Sequence, residues 1–290
     1  MPSATHPPAD LHRRRRLTAI FVAVILGLAT LIVAIWWLSG AERVMSGVEG
    51  AGPSPAARAW ALDMRRRTED TASLTAIEEA MRVTPAIRHG GGSERLAALT
   101  FDDGPSQYTP EILEVLDRKE VRATFFVIGG IHDTYGALIK DLLARGHAIA
   151  NHTVGHPAMD GLTVSEQAAE IDAQSRAIMA FGAARPRLFR PPYNAWNEST
   201  LEILERREML MVLWSVETND WLQPGPDEIV KHTLDAVEPG SIVLMHDGGG
   251  DRTQTVEALP GIIEGLHEDG YELVTIPELL ERDPPLSDQR

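Results

Sequence analysis

Two adjacent carboxylates, Asp102 and Asp103, end a short apolar run in the stretch LTFDDGP at residues 99–105. Like charges this close repel, so if both groups are partly buried, at least one of them needs a cation or a proton. Taken alone, the stretch is more typical of a solvated turn, because Asp-Gly and Gly-Pro are common turn formers. The rest of the sequence has to decide between a turn and a chemical site.

A pair of histidines, His152 and His156, follows in the stretch HTVGH. On a helical turn the two imidazoles would share one face, and in a tight loop they could still converge. With Asp103 they make a three-ligand set for one divalent ion, with open positions for water and substrate. Since the chain has no cysteine, thiolate ligands are excluded. We expect Zn²⁺, with Co²⁺ or Ni²⁺ as alternatives; the same ligands also suit ferrous iron.

Short β-rich runs alternate with helical stretches from residue 94 onward. The seven runs lie near 95–103, 123–129, 147–152, 187–192, 209–216, 241–247 and 271–276. The helices are predicted near 109–119, 134–145, 163–181, 198–207, 226–236 and 252–268. This alternation predicts a parallel α/β sheet, either doubly wound or closed as a (β/α) barrel. The C-terminal strand ends of such a fold converge on one face, and five of them carry ionisable or metal-binding side chains.

These strand-end residues are of the types that acid–base chemistry needs. Asp102 beside a divalent cation can stay ionised near neutral pH and take a proton from water at the metal. His246, which ends a later strand, could protonate a leaving group. Arg190 beside the base would lower the pKa of that carboxylate, and Asp220 beside the acid would raise the pKa of the histidine. The structural alternatives are an ion pair for Arg190, a turn for Asp220 and a core histidine for His246.

Five motifs, in this order, resemble those of the polysaccharide deacetylase family, the NodB-homology domain of carbohydrate esterase family 4. They are TFDDGP (100–105), HTVGH (152–156), RPPY (190–193), ETNDW (217–221) and LMH (244–246). The similarity spans roughly residues 94–285, and it implies a distorted (β/α)7 barrel that removes N-acetyl groups from sugars with a metal. Glu217 departs from the usual Asp of the fourth motif, and Asn194 stands where Gly commonly follows Tyr193.

The resemblance also implies a role for each candidate residue. The implied metal ligands are Asp103, His152 and His156. The implied catalytic base is Asp102, whose pKa is tuned by Arg190. The implied general acid is His246, whose pKa is tuned by Asp220. In the implied substrate pocket, the backbone N–H of Tyr193 helps hold the oxyanion. Trp221 and Leu244 form two walls around the acetyl methyl.

The expected partner is an N-acetylated polysaccharide. Peptidoglycan N-acetylglucosamine is the leading substrate, and chitin oligomers, poly-N-acetylglucosamine and acetylated xylan are alternatives. A catalytically silent sugar-binding domain is the alternative of another class, and the intact set of motifs argues against it. The net charge of −15 argues against a nucleic-acid partner. No sequence feature sets the oligomeric state.

The N-terminal region carries an uncharged segment, residues 17–38, that would span about 33 Å as a helix, enough to cross a bilayer. Four arginines at 13–16 precede it and two tryptophans at 36–37 end it, which favours an anchor with a cytoplasmic N-terminus. A signal peptide cleaved near residues 39–41, releasing a secreted protein, is the alternative. The apolar run is longer than a typical signal core, so we expect a single-pass anchor with the catalytic domain outside the cell.

Four segments follow from these patterns. Residues 1–16 are cytoplasmic and 17–38 cross the membrane. Residues 39–92 form a linker with an amphipathic helix near 56–82, and 93–290 form the catalytic domain. The sequence leaves open whether that helix packs on the domain, on a partner or on nothing.

Overall fold

A computed structural model describes residues 71–129, 132–287 and 289, which form a curled parallel sheet surrounded by helices. The strands are β1 (Ala86–Ile87), β2 (Leu96–Asp102), β3 (Thr124–Val127), β4 (Ala148–Asn151), β5 (Leu188–Phe189), β6 (Leu210–Val212), β7 (Val216–Glu217), β8 (Ser241–His246) and β9 (Glu272–Leu273). The helices are α1 (71–83), α2 (Thr109–Arg118), α3 (His132–Ala144), α4 (Val164–Ala180), α5 (Glu198–Arg206), α6 (Pro226–Ala236), α7 (Thr253–Glu268) and α8 (Ile276–Arg282).

The strand order distinguishes the two parallel folds that the sequence allowed. The strands run β1-β6-β5-β4-β3-β2-β8-β7, and β9 also pairs with β2. From β2 through β6, neighbouring strands in the sheet follow the order of the chain. The late strand β8 then lies beside the early strand β2. β2 and β8 pair in parallel over Ala97–Asp102 and Ser241–His246. Such a cyclic order is that of a curled barrel-like sheet and differs from a doubly wound sheet, in which the order reverses at a switch point.

The two sides of this curled sheet are joined by only three residues, 213–215, which connect β6 to β7. β6 pairs with β5, whereas β7 pairs with β8 on the other side of the sheet. Because extended chain spans at most about 3.6 Å per residue, the two sides lie within roughly 14 Å of each other. The sequence analysis predicted one strand over 209–216, and the structure corrects this: the segment bends to pair with both sides.

Side chains along the strands alternate between the interior of the curl and the helices outside. Phe101 and Met245 belong to the apolar cluster beneath the helices, whereas Ala98 and Ile242 belong to the interior cluster. Asp102 lies four residues after Ala98 and therefore shares the interior face. His246 lies four residues after Ile242 and does the same. The two residues are register partners on β2 and β8, so both reach the interior at the carboxyl end of the sheet.

Helix α1 and strand β1 belong to the same folded unit as the barrel. Ala76, Ile77 and Ala80 of α1 are buried in the interior cluster. β1 then pairs in parallel with β6. Residues 71–92, which the sequence analysis assigned to the linker, are therefore packed on the sheet, and the described part of the predicted amphipathic helix docks on the domain.

The six helices predicted between residues 109 and 268 are all present, with ends within two residues of the predicted ones. Helix α8 was missed because it is only seven residues long. It starts with a capping box between Thr275 and Glu278, a local signal for a helix N-terminus. The strands are shorter than predicted, and β5 and β9 have two residues each.

The predicted membrane segment, residues 17–38, lies outside the described residues, together with the predicted cytoplasmic segment and the start of the linker. Within the part of the chain that the structure covers, no helix combines the length and the apolar character needed to cross a membrane.

A buried histidine below β4 makes folding stability depend on pH. His147 accepts a hydrogen bond at Nδ1 from the backbone N–H of Ala123 (3.1 Å), and its Nε2 has no partner among the described residues. Burial lowers the pKa of His147 from 6.5 to about 4. The unfolded chain therefore binds an extra proton between these two pH values, so the stabilisation is complete above pH 6.5 and is lost as the pH falls toward 4.

Between neutral pH and pH 4, we expect the free energy of unfolding to decrease by about 3 kcal/mol less in His147→Asn than in the wild type. Asn keeps a hydrogen-bond acceptor near the position of Nδ1. Urea unfolding of the purified chain across this range measures the effect. His232→Asn, at an exposed position on α6, is the matched control and should leave the pH dependence unchanged. Equal acid slopes for His147→Asn and the wild type would contradict this assignment.

Candidate active site

Three predicted ligands converge just beyond the carboxyl ends of β2 and β4. Asp103 follows β2, and His152 and His156 follow β4. Asp103 Oδ1 lies 2.9 Å from His156 Nε2 and 3.5 Å from His152 Nε2. One ligand atom from each residue lies within 4.8 Å of the other two. The pattern of residues in the sequence therefore corresponds to a real cluster in space.

The surroundings of this cluster leave the right atoms free for a metal. His152 Nδ1 donates to the carbonyl oxygen of Arg190 (2.7 Å), which fixes the tautomer and leaves the Nε2 lone pair available. His156 Nδ1 lies 3.1 Å from the hydroxyl of Tyr193, so its Nε2 is likewise turned toward Asp103. Asp103 Oδ1 is buried and faces the Nε2 atoms of these two imidazoles. Two imidazole nitrogens and one carboxylate oxygen fit a Zn²⁺ ion.

The charge on Asp103 is stabilised by the same histidines. Burial raises the pKa of Asp103, but when His152 and His156 are protonated, their hydrogen bonds and charges outweigh burial and hold this pKa well below its usual range. Asp103 has a left-handed backbone (φ 71°), as has His156 (φ 56°). Such conformations are costly for residues with side chains, and they cluster at functional sites.

Asp102 forms a buried ion pair with Arg190, as one of the two sequence interpretations proposed. Arg190 Nη1 donates to Asp102 Oδ1 at 2.7 Å. Asp102 is 3% exposed and Arg190 is fully buried. Asp102 Oδ2 is also 3.6 Å from His152 Nε2, so this carboxylate lies at the edge of the ligand cluster. The two neighbouring carboxylates thus have different partners.

The Arg190 guanidinium is held by backbone and ring contacts on all sides. Nε donates to the carbonyl of Val212 (3.0 Å) and Nη2 to the carbonyl of Leu213 (3.1 Å). The guanidinium also lies 4.0 Å from the centroid of the Phe126 ring, a cation–π geometry. Burial lowers the pKa of Arg190, and Asp102 opposes this shift. Since an arginine stays protonated in proteins, it presents a fixed positive charge to Asp102.

A second dyad, His246 and Asp220, lies on β8 and on the loop after β7. His246 Nδ1 is 2.7 Å from Asp220 Oδ1, and the His246 backbone N–H donates to Asp220 Oδ2 (2.9 Å). Burial lowers the pKa of His246, but the hydrogen bond and charge of Asp220 outweigh it, so this pKa is raised overall. Burial opposes ionisation of Asp220, yet His246 and Thr255 lower its pKa. The imidazole therefore keeps its proton to a higher pH than an ordinary histidine.

Aromatic and apolar residues flank the cluster at the positions that the sequence analysis selected. Tyr193 is 71% exposed, and its ring packs edge-on against His156. Its backbone N–H makes none of the hydrogen bonds found in the described part of the chain. Leu244 is buried on β8, and Trp221 is half-exposed.

The two departures from the family pattern have local explanations. Glu217 accepts a hydrogen bond from the indole N–H of Trp221 (3.1 Å), so its longer side chain is held by that ring. Asn194 has a left-handed backbone with φ 54°. Gly adopts this conformation without strain, and Asn is among the residues that tolerate it best. Neither departure disturbs the ligand cluster.

Three residues at the site were given no role by the sequence analysis. Thr100 accepts a hydrogen bond from Arg190 Nη1 (2.9 Å), and Thr255 donates to Asp220 Oδ2 (2.8 Å). Asp247 is buried beside the DDGP turn, and this burial raises its pKa to about 7. Asp247 directly follows His246, and its position at a strand end marked it among the ionisable residues there. The two threonines could not be found in this way, because only folding brings them to their partners.

Comparison with known proteins agrees with this geometry. The family model described as polysaccharide deacetylase matches residues 89–212. A chitooligosaccharide deacetylase of Bradyrhizobium sp. (strain ANU 289) is 40% identical over 210 residues, which cover 67% of this chain and 96% of that protein. A peptidoglycan-N-acetylglucosamine deacetylase of Bacillus cereus is 38% identical over 192 residues, covering 65% of this chain and 89% of that one.

Solved structures show the same relationship. The Bc1960 peptidoglycan N-acetylglucosamine deacetylase, in complex with a substituted benzamide, superposes with a TM-score of 0.67. It is 31% identical in sequence, and the match covers 70% of this chain and 95% of that one. Sequence identity across nearly the whole length of these relatives agrees with the shared fold. The chain therefore belongs to the polysaccharide deacetylase family, carbohydrate esterase family 4.

Proposed function

We propose that this chain is a metal-dependent deacetylase that removes N-acetyl groups from peptidoglycan N-acetylglucosamine. The observation that carries the proposal is the grouping of two differently paired carboxylates with two histidines at one end of the sheet. Asp102 is paired with Arg190, and Asp103 faces His152 and His156. An amide hydrolase needs such a division of labour, because one group must bind the metal while another accepts a proton.

Asp103, His152 and His156 would hold one divalent ion, Zn²⁺ in the first instance and Co²⁺ or Ni²⁺ as alternatives. When bound, such an ion polarises the amide carbonyl and makes water more acidic. Asp102 would accept the proton of the attacking water at the oxygen that Arg190 leaves free. Arg190 orients Asp102 for this task, since its Nη1 donates to Oδ1 and places a fixed positive charge beside the carboxylate. The backbone N–H of Tyr193 would donate to the developing oxyanion.

His246 would then donate a proton to the amine that leaves. Its Nδ1 is engaged by Asp220, so Nε2 is the nitrogen that can reach the leaving group. Asp220 stabilises the imidazolium and keeps the ring in one orientation. Trp221 and Leu244 would form the walls of a small apolar pocket for the acetyl methyl. These assignments give each predicted site residue one role.

Chitooligosaccharides are the second candidate substrate, because a chitooligosaccharide deacetylase is among the similar proteins. Poly-N-acetylglucosamine and acetylxylan remain further alternatives within the same chemistry. A catalytically silent sugar-binding domain would keep the fold but would not need the intact metal ligands, base and acid that this chain has. Enzymatic deacetylation therefore accounts for more of the site than binding alone.

We also propose that residues 17–38 anchor the chain in the cell membrane with the catalytic domain outside. The support is the uncharged 22-residue stretch, preceded by four arginines. An enzyme held there would meet cell-wall polymers directly. Secretion after cleavage near residues 39–41 is the alternative, and it would export the same domain.

Acetate release from the intact chain tests the proposed reaction. With added Zn²⁺, we expect release from peptidoglycan above that from N-acetylglucosamine oligomers and acetylxylan. Asp102→Asn should lower kcat by about 10²- to 10⁴-fold, because it removes the proton acceptor and keeps the shape. Asp160→Asn, which alters an exposed carboxyl group, is the control and should match the wild type. No acetate from any substrate, or full activity of Asp102→Asn, would refute the proposal.

The pH profile of kcat/KM tests the role of His246. Because the pKa of His246 is raised by Asp220, the protonated acid persists above pH 6.5, and activity should fall as the pH rises through this higher pKa. Asp220→Asn removes the charge, so the basic limb should move to lower pH. Thr255→Val removes one hydrogen bond to Asp220 and keeps the charge, so it should cause a smaller shift. A basic limb that stays in place in Asp220→Asn would exclude His246 as the acid.

Fractionation of cells that express the chain tests the anchor. We expect the full chain in the membrane pellet after alkaline extraction, and a variant lacking residues 1–38 in the soluble fraction. Mass spectrometry of the membrane-bound protein should find residues 17–38 still attached. A mature protein that begins near residue 42 would instead establish signal cleavage.

A further inference from the structure

The segment that follows His246 contains chemistry that the proposed reaction does not use. Residues 247–252 read DGGGDR, and we call them the glycine loop. They connect β8 to α7 at the same end of the sheet as the ligand cluster. Asp247 and Arg252, its first and last residues, are both buried. Burying two charged side chains in a six-residue loop calls for a structural or functional reason.

The middle of the glycine loop lies directly against Asp103. A Cβ atom on Gly248 would come closer than 3.0 Å to the carbonyl oxygen of Asp103. A Cβ atom on Gly249 would come equally close to the Asp103 carboxylate oxygen Oδ2. Real Cβ atoms essentially never make contacts this short, so no side chain fits at either position without moving Asp103. Gly249 also has a left-handed backbone with φ 71°.

The two carboxylate oxygens of Asp103 therefore have different neighbours. Oδ1 faces His156 Nε2 and His152 Nε2. Oδ2 faces the backbone of Gly249. A carboxylate can rotate and swing about its side-chain bonds, and packing on the Oδ2 side restricts both motions. The glycine loop thus limits the directions in which Asp103 can point.

The glycine loop is itself fastened at both ends. Arg252 Nε donates to the carbonyl of Gly248 (2.6 Å), and Arg252 Nη1 donates to the carbonyl of Asp251 (3.2 Å). The backbone N–H of Asp247 donates to the carbonyl of Asp102 (3.0 Å).

A side-chain hydrogen bond joins the glycine loop to the start of α2. Asp247 Oδ2 accepts a hydrogen bond from the hydroxyl of Thr109 at 2.6 Å. Thr109 is the first residue of α2, beyond the turn that carries Asp103. The glycine loop is thus tied on both sides of that turn, so it can act as a rigid wall.

We propose that the glycine loop is a positioning element for the metal site, and that Gly249 in particular holds the Asp103 carboxylate toward His152 and His156. This inference rests on the proposed metal-dependent function. A side chain at position 249 would push Oδ2 away and turn Oδ1 out of the ligand cluster. Partners that orient metal ligands typically change metal affinity by about 10- to 100-fold when they are lost. Metal affinity, measured without substrate, is therefore the property that should respond.

Titration calorimetry of the metal-free full chain with Zn²⁺ tests this inference. We expect Gly249→Ala to bind Zn²⁺ about 10- to 100-fold more weakly than the wild type. Gly270→Ala is the matched control: Gly270 also has a left-handed backbone (φ 79°), but a Cβ there meets nothing within 4 Å. Both glycines have a left-handed backbone, so the control carries a similar kind of backbone strain without the contact with Asp103. Thermal unfolding of the metal-free proteins shows whether each one folds.

A second variant covers the case in which Gly249→Ala does not fold. Arg252→Met has an unbranched side chain without a donor, so it removes the hydrogen bonds to Gly248 and Asp251 and adds no side chain at the contact. Zn²⁺ affinity should then fall by a smaller factor. Wild-type affinity in folded Gly249→Ala, or in Arg252→Met if only that variant folds, would overturn the inference and leave the proposed function intact. A wild-type chain that binds no Zn²⁺ would refute the proposed metal-dependent function, and with it the inference.

Discussion

The buried ion pair between Arg190 and Asp102 is the interaction on which the site depends. The guanidinium is fully buried, and a charge removed from water in this way is costly unless a carboxylate and good hydrogen bonds compensate it. Here Asp102, Thr100 and the carbonyls of Val212 and Leu213 use its donors. Loss of either charged partner would leave an uncompensated buried charge, which typically costs about 3 to 5 kcal/mol.

This one side chain also connects parts of the fold that are distant in sequence. Its guanidinium joins the end of β2 to the bend between β6 and β7, which links the two sides of the curled sheet. The backbone carbonyl oxygen of Arg190 accepts the hydrogen bond that sets the tautomer of His152. Arg190 therefore acts on three features at once. It orients the proposed base, it leaves a nitrogen of a proposed metal ligand available, and it contacts the bend that links the two sides of the sheet. A change at Arg190 would affect all three.

The repulsion between Asp102 and Asp103 is resolved by giving each carboxylate its own environment. Asp102 points to the Arg190 guanidinium, whereas Asp103 points to two imidazoles and is packed against the backbone of the glycine loop. His246 ends the neighbouring strand β8, and Asp220 raises the pKa of this histidine. The proposed base and the proposed acid can have different environments because separate partners, Arg190 and Asp220, contact each of them. Strands β2 and β8 hold Asp102 and His246 in register at one end of the sheet.

The sequence by itself determined the alternation of strands and helices, the positions of six helices and the residues that form the site. These follow from hydrophobic periodicity and short motifs, which are local properties of the chain. Only the tertiary structure decided that 209–216 splits into two strands, that 71–92 pack on the sheet, and that Thr100, Thr255 and the glycine loop support the site. Those features depend on contacts between residues far apart in sequence, such as Gly249 and Asp103, and local patterns carry no information about which distant surfaces meet.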